Sequence, residues 1–245
     1  MDGIALYIVC HGVTYPGNHS DFTDAEAVDA GLRWYVVNEP LQPKVIRCPE
    51  GCRIDEWGLP VHDPFMQINH FYNNSALWHA YLNPGLRTRE FIGFAQYDMA
   101  IPKRALDRFA ATPGPRRVGA MFPLPFACLF QNPLPAAFWE ELVREAHPGL
   151  EIANLTGDPL PLMHGFIMPT PAFVEMMQFA DSWLPKVLRA LGHDTRHLAG
   201  TLERVFALWI AAKGRAGVLG PILELPGFVH GQETQRLPDA FRDAA

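Results

Sequence analysis

Short, continuous apolar runs alternate with helical patterns along this chain. Runs of the type expected for strands buried in a sheet lie at 4–10, 33–39, 91–96, 117–126 and 161–169. Apolar residues at helical spacing predict helices at 24–31, 73–83, 102–111, 135–149, 170–191 and 200–214. This alternation predicts an α/β fold, one domain over residues 1–245 with a mixed central sheet.

Boundary residues and irregular stretches complete this prediction. Gly31 is expected to close the first helix, and Asn74 or Ser75 to cap the second. Thr170 is a candidate N-cap for the long helix, in which Pro185 should produce a kink. Residues 40–70 carry little periodicity and are predicted to be a long connection, and 214–245 an irregular C-terminal tail.

Composition and net charge restrict the classes of partner that this chain can bind. Hydrophobic residues make up 49% of the 245 residues, enough for a core, and the net charge is −6. An acidic chain argues against a nucleic-acid partner, which requires a basic surface. The first apolar run, IALYIVC, is too short for a membrane span and has no positively charged start. We therefore expect a cytoplasmic protein with no intrinsic membrane segment.

Two of the four cysteines form the segment CPEGC, residues 48–52. A zinc site would need two further ligands at regular spacing, and the sequence offers none. Free thiols in a reducing compartment are the alternative.

The segment FIGFAQYDMAIP, residues 91–102, ends an apolar run in Gln96, Tyr97 and Asp98. The carboxyl ends of strands in open α/β sheets are where ligands bind, so Asp98 is a candidate site residue. Alternatively, Asp98 ends the strand and caps the helical segment after it. The glycine fingerprints of phosphate-binding loops, the G-x-S-x-G elbow and the HEXXH motif do not occur in the sequence.

Four blocks carry a family resemblance. They are LYIVCHG (6–12), NNSALWHAYLN with FIGFAQYDMAIP (73–83 and 91–102), HGFIMPTPAF (164–173) and AGTLERVFALWI (199–210). In order and residue type the chain resembles bacterial glycosyltransferases of capsule, O-antigen and other polysaccharide synthesis. Those proteins share an "N-x-x-E-x-x-x-Y-W-x-W-K-N … Y-I-G-x-x-H-Y-R-R" core. The acidic residue of the first core block is missing here, and Gln96 to Met99 replace H-Y-R-R.

The resemblance implies a GT-A-like, Rossmann-like fold that binds a nucleotide-sugar donor and a saccharide acceptor. His11, Gly12 and Thr14 would meet the base and ribose, and Gln96 and Asp98 the diphosphate. Many such enzymes hold a divalent cation with a D-x-D triplet. Here an amide replaces one carboxylate, so Mn²⁺ or Mg²⁺ on Asp98 is possible but not required.

The remaining candidates lie in the last two blocks. Glu203 is expected to project from the helix side not committed to the core, where it can take the acceptor proton, which would give inversion at the sugar. A retaining enzyme would not need this base, and the sequence leaves both outcomes open. Arg204 would fix that carboxylate or a donor phosphate, and His164 would line the acceptor side. Glu203 can instead complement a helix dipole in a first turn, and His11 and His164 can be structural.

Two other functions stay open on the sequence alone. The loss of one D-x-D acid and of the basic pair favours a non-catalytic glycosyltransferase-like module that binds saccharide. A hydrolase using Asp98 with a histidine is the other alternative, although no nucleophile motif supports it.

Overall fold

The structure, a computed structural model, describes residues 3–11, 18–37, 46–68, 70–158, 160–162, 164–192 and 194–225. Within them one mixed seven-stranded sheet is covered by helices on both faces, so the predicted α/β class is confirmed. The strands are β1 (Ile4–Cys10), β2 (Leu32–Val36), β3 (Arg53–Asp55), β4 (Phe91–Gln96), β5 (Val118–Ala120), β6 (Phe166–Pro169) and β7 (Ile222–Glu224). The α-helices are α1 (Asp24–Asp29), α2 (Phe65–Ile68), α3 (Asn74–Leu82), α4 (Lys103–Ala111), α5 (Ala136–Ala146), α6 (Thr170–Leu191) and α7 (Leu198–Arg215).

The strand order is β3-β2-β1-β4-β6-β5-β7. Strand β6 runs antiparallel to its neighbours β4 and β5, whereas the other described pairs are parallel. The start of β6 therefore lies at the same edge of the sheet as the carboxyl ends of β1 and β4. This topology decides which loops can share a site.

Strands β1 and β4 form the centre of the sheet, and every residue of both is buried. Continuous apolar runs suit strands that are covered on both faces, which is why their sequence shows no polar alternation. Gly93 lets β4 approach β6 closely. A Cβ at this position would lie 2.8 Å from both the Ile167 Cγ1 atom and the Phe166 carbonyl oxygen.

Two apolar clusters lie on opposite faces of the sheet. Helices α3, α5, α6 and α7 bury their apolar residues against one face, and α1 and α4 against the other. The first layer contains the longest helix, α6, which continues through Pro185. Among the described helices, none has both the length and the apolar content that a membrane span requires.

Three expectations about local structure are wrong. Residues 40–70 are not a featureless connection, because β3 and α2 lie within them. The stretch from 214 is not wholly irregular, because β7 pairs with β5, whereas 226–245 lie outside the described residues. The expected N-caps lie inside their helices: Asn74, which is fully buried, and Ser75 are the first two residues of α3, and Thr170 is the first residue of α6. Short edge strands carry too few residues for a recognisable pattern.

Candidate functional site

The candidate site lies where the strand order reverses. From β1 the chain moves outward to β2 and β3 on one side, and β4 lies on the other side. Such a switch point leaves a crevice beyond the carboxyl ends of the two central strands, where open α/β sheets bind ligands. His11 follows β1, and Tyr97 and Asp98 follow β4.

The strand register brings the predicted residues of three blocks together. Val9 is paired with Gln96, so continuing the parallel register by two residues places His11 beside Asp98. Phe94 is paired with Phe166, the first residue of β6, so His164, two residues earlier in the chain, lies at the same edge of the sheet. The proximity expected for these residues therefore follows from the sheet itself.

His11 is half-buried at the mouth of the crevice and contacts two tyrosines edge-on. Its ring centroid lies 6.0 Å from that of Tyr97 and 6.1 Å from that of Tyr72. Gly12 and Thr14, which were expected to meet the donor beside it, lie outside the described residues. Burial, and secondly the charge of Asp98, raise the pKa of the Tyr97 hydroxyl, so this ring is a neutral wall of the site.

His164 is the most constrained member of the site. It is 3% exposed and adopts a left-handed backbone conformation with φ of 54°. Its Nε2 atom lies 2.7 Å from Asn74 Oδ1. The Asn74 amide nitrogen donates to the carbonyls of Phe71 (2.8 Å) and Ala199 (3.3 Å), which fixes Oδ1 toward the imidazole. Because Oδ1 can only accept, His164 carries its proton on Nε2.

The other ring nitrogen of His164 faces Glu203 on α7. The Nδ1 and Oε1 atoms are 3.5 Å apart, without the geometry of a hydrogen bond, and no described residue donates to Nδ1. Burial and the nearby charge of His11 lower the pKa of His164 to about 3, so the imidazole is neutral at neutral pH and the contact is not an ion pair. Nδ1 is closed off from solvent, whereas the Glu203 side chain keeps 20% of its surface exposed, so a hydroxyl group that approaches from solvent can donate to the carboxylate but not to the imidazole.

Two observations bear on the role of Glu203. Its side chain keeps 20% of its surface exposed, so it borders solvent as predicted. The helix begins at Leu198 and has no acidic residue in its first turn, so a first-turn dipole role does not explain Glu203.

Arg204 points away from this centre. Its guanidinium donates to the carbonyls of Gly200 (2.7 Å), Cys128 (2.9 Å) and Leu129 (3.1 Å), and burial lowers its pKa. These bonds tie α7 to the turn at 126–131. They give Arg204 a task in positioning the helix, and its donor-binding role stays a prediction.

The donor set around Asp98 is poor for a divalent cation. Gln96 is 8% exposed and ends β4, so it presents an amide where the D-x-D triplet has a carboxylate. Mg²⁺ and Mn²⁺ prefer several charged oxygen ligands. Among the described residues no group of three or more histidine, cysteine or acidic side chains is placed to hold a metal. We therefore derive no chemical step through a cation.

Three residues of the site carry no signal in the sequence pattern: His70, Tyr72 and Asn74. His70 stacks on Tyr72, and Asn74 holds His164. His70 (φ 59°), Tyr72 (φ 49°) and His164 (φ 54°) are all the non-glycine residues with positive φ in the described part of the chain. Such strained conformations cluster at functional sites, because surrounding structure must hold them. All three lie around His11, which supports this crevice as the site.

Comparison with known proteins bears on the fold. No protein-family model matches the chain, and no curated protein matches its sequence. A solved structure, the WbbM bifunctional glycosyltransferase in its apo form, matches 90% of this chain with a TM-score of 0.57 at 12% identity. This chain corresponds to 44% of that one, so it spans less than half of the protein it resembles.

A second solved structure is the galactosyltransferase LgtC in complex with donor and acceptor sugar analogs. It matches 90% of this chain and 72% of its own at 11% identity, with a TM-score of 0.40, which adds nothing about the fold. The likeness to the first structure confirms the predicted GT-A-like α/β fold.

Proposed function

We propose that this chain is a glycosyltransferase that moves a sugar from a nucleotide-sugar donor to a hydroxyl group of a saccharide acceptor in polysaccharide or glycan synthesis. The observation that carries the proposal is the gathering of His11, Asp98 and the His164–Glu203 contact at the switch point of a sheet shared with a solved glycosyltransferase. Fold alone would not support a function, but chemically competent residues at the ligand edge of that fold do.

Glu203 is the proposed general base. The acceptor hydroxyl donates its proton to the Glu203 carboxylate while its oxygen attacks the anomeric carbon of the donor sugar. The bond from that carbon to the phosphate oxygen breaks, and the nucleoside diphosphate leaves with the electron pair. Attack opposite to the leaving group inverts the anomeric centre.

His164 is a positioning residue in this scheme. Asn74 fixes the proton on Nε2, so Nδ1 offers a lone pair beside the Glu203 carboxylate. The buried ring packs against the carboxylate and limits the positions that it can take, and the positioning of a reacting group is a large part of what an enzyme supplies. Burial keeps the imidazole neutral, so it does not compete with the hydroxyl for the carboxylate.

Donor binding is the first test of the proposal. A panel of nucleoside diphosphates and nucleotide sugars, with and without Mn²⁺, is screened by thermal shift and for slow hydrolysis. A nucleotide present at 100 times its Kd stabilises the fold by about 2.7 kcal/mol, which gives a clear rise in Tm. Hydrolysis of at least one nucleotide sugar is expected. Glycan binding with every nucleotide sugar left intact would instead identify a non-catalytic saccharide-binding module.

The donor side makes a separate prediction about cations. Because Gln96 replaces an acid, we expect hydrolysis of the nucleotide sugar to depend on the Asp98 carboxylate more than on a bound metal ion. Asp98→Asn should therefore lower the rate of donor hydrolysis more than a chelator does. The matched control is Asp107→Asn on the exposed side of α4. Complete loss of turnover in EDTA with a mild effect of Asp98→Asn would reverse this assignment.

A further inference from the structure

Tyr72 is an exposed aromatic residue at the rim of the crevice. Its relative exposure is 46%, although large aromatic side chains are usually buried in this chain. Its φ of 49° lies in the left-handed region, which is unfavourable for a bulky residue. A ring that is both strained and exposed contributes little to the core, so folding alone does not account for its position.

The surrounding residues hold this ring in one orientation. The His70 ring lies parallel to it at an interplanar angle of 22° and a centroid distance of 5.7 Å. His70 is in turn anchored by a 2.7 Å hydrogen bond between its Nδ1 atom and the Thr195 hydroxyl oxygen. His11 meets Tyr72 edge-on at an angle of 66°. The His70 ring thus covers one face of the Tyr72 ring, and we infer that the exposed surface of Tyr72 is on its other side.

The connections of Tyr72 lead to the proposed base. Thr195, which anchors His70, lies in the turn directly before α7, the helix that carries Glu203. Asn74, two residues after Tyr72, bonds to both His164 and the backbone of Ala199 on the same helix. The ring and the base therefore share one support, whereas Asp98 follows β4 and is attached to a different element.

We propose that Tyr72, backed by His70, is a stacking platform for the pyranose ring of the acceptor saccharide; this rests on the proposed function. The face of an aromatic ring is electronegative and attracts the C–H groups of a sugar, while it repels an anionic diphosphate. A sugar resting on this face lies on the α7 side of the site, which carries Glu203. Tyr72 thus selects the ring and its orientation, and Glu203 performs the chemistry.

The test measures binding of simple glycosides to the full chain. Methyl α- and β-glycosides of glucose, galactose and mannose are used as probes in saturation-transfer NMR, and their Kd values are obtained by titration. Tyr72→Asn removes the ring with a residue that tolerates left-handed backbone, and Tyr72→Phe keeps the ring. Phe130→Ala is the matched control, because Phe130 is a comparably exposed aromatic (49%) outside the site.

At least one glycoside should bind the wild-type chain, with saturation strongest at the axial hydrogens of one sugar face. Tyr72→Asn should raise its Kd roughly 3- to 10-fold, whereas Tyr72→Phe and Phe130→Ala should stay within about twofold of the wild type. Unchanged glycoside binding in Tyr72→Asn, or no binding of any probe to the wild type, would overturn the proposal.

Two further readouts separate the possible failures. If Tyr72→Asn weakens binding of nucleoside diphosphates and leaves glycoside binding intact, the platform holds the donor base and the assignment to the acceptor is wrong. Hydrolysis of nucleotide sugars by the wild-type chain is measured independently. Its absence would remove the proposed transferase reaction, whereas glycoside binding that depends on Tyr72 would still stand.

Discussion

Two glutamate–histidine contacts in this molecule use the same residue types in opposite ways. The closed pair, Glu56 with His79, is 2.7 Å apart, and both side chains are 0% exposed. The open pair, Glu203 with His164, is 3.5 Å apart, with exposures of 20% and 2%. Both histidines lie on the face of the sheet that α3, α5, α6 and α7 cover. His79 is on α3, and His164 lies just before β6 against Phe206 of α7.

In the closed pair, both ring nitrogens of the histidine are satisfied by the protein. His79 Nδ1 donates to Glu56 Oε1, and Nε2 accepts the backbone N–H of Asp63 at 2.9 Å. Gln67 donates to the second oxygen of Glu56 at 3.2 Å. A buried network in which each member has its partner stabilises one packing arrangement and has nothing left to offer a ligand.

In the open pair, one ring nitrogen of the histidine has a fixed partner and the other has no donor among the described residues. Asn74 Oδ1 accepts from Nε2–H, while Nδ1 presents a lone pair 3.5 Å from Glu203 Oε1. The difference teaches that residue type and burial do not separate a structural pair from a functional one. Saturation of the hydrogen-bonding atoms does, and only the fold reveals it.

The largest expected effect is the loss of turnover when Glu203 of the open pair is replaced by glutamine. In Glu203→Gln the carboxylate that takes the proton is lost, and the new amide nitrogen can donate to His164 Nδ1. We expect kcat to fall by ~10²–10⁴-fold, while the Kd of the donor stays near the wild-type value. The measurement is a turnover assay with the best nucleotide sugar found in the screen.

Melting temperature provides the internal control for this variant. Because the substitution supplies a donor where the described part of the protein has none, Tm should stay level or rise. Wild-type turnover in Glu203→Gln would remove Glu203 from the mechanism. A fall in Tm with intact turnover would show that the open pair is structural after all.

Breaking the closed pair should give the opposite pattern. Glu56→Ala leaves the His79 Nδ1–H group buried without an acceptor, because Glu56 occupies that direction alone in the described packing. Removing one member of a buried pair costs about 3–5 kcal/mol, which for a chain of this size lowers Tm by roughly 10 °C. Thermal unfolding followed by circular dichroism measures it.

Glu203→Ala is the matched comparison for the closed pair. Its side chain keeps 20% of its surface exposed, so water can solvate the groups that truncation uncovers, and we expect a smaller loss of stability than in Glu56→Ala. Equal losses of stability in Glu56→Ala and Glu203→Ala would erase the distinction between the two pairs.

Part of the fold and of the site can be predicted from the sequence alone. Strands β1 and β4 are predictable from the sequence, because a strand buried on both faces is a continuous apolar run, which in β4 ends only at Gln96. His11 and Asp98 are predictable as neighbours, because the carboxyl ends of parallel strands meet at one edge. The three-residue strands β3 and β7 carry too little pattern to be seen.

The rest of the site depends on contacts between distant parts of the chain. Asn74 bonds to His164, 90 positions away, and to Ala199, 125 positions away. A buried asparagine at the start of a helix resembles a capping residue until those partners are known. Tyr72 and Arg204 show the same limit. Tyr72 is defined by the His70 ring that stacks on it, and Arg204 by the backbone carbonyls to which its guanidinium donates, and neither environment can be read from the sequence.

The smallest effect concerns acid pH and the closed pair. Burial raises the pKa of the Glu56 carboxyl, but hydrogen bonds from His79 and its other neighbours outweigh it, so the net pKa is lowered from 4.5. A carboxylate with a lowered folded-state pKa adds stability above its unfolded-state pKa and loses it as pH falls through the folded value. In Glu56→Gln that contribution is absent at every pH. The stability difference between the wild type and Glu56→Gln should therefore shrink as pH falls from about 5 to 3, by at most about 1.4 kcal/mol per pH unit for one proton. His164 also titrates in acid, but it is present in both proteins and its effect cancels in the difference.

Urea unfolding of the wild type and Glu56→Gln at each pH gives the stability difference directly, and Glu175→Gln on the exposed side of α6 reports the effect of losing one surface charge. A difference that stays constant with pH, or that follows the Glu175→Gln control, would show that Glu56 gains nothing from its network and that the closed pair is not a stabilising one.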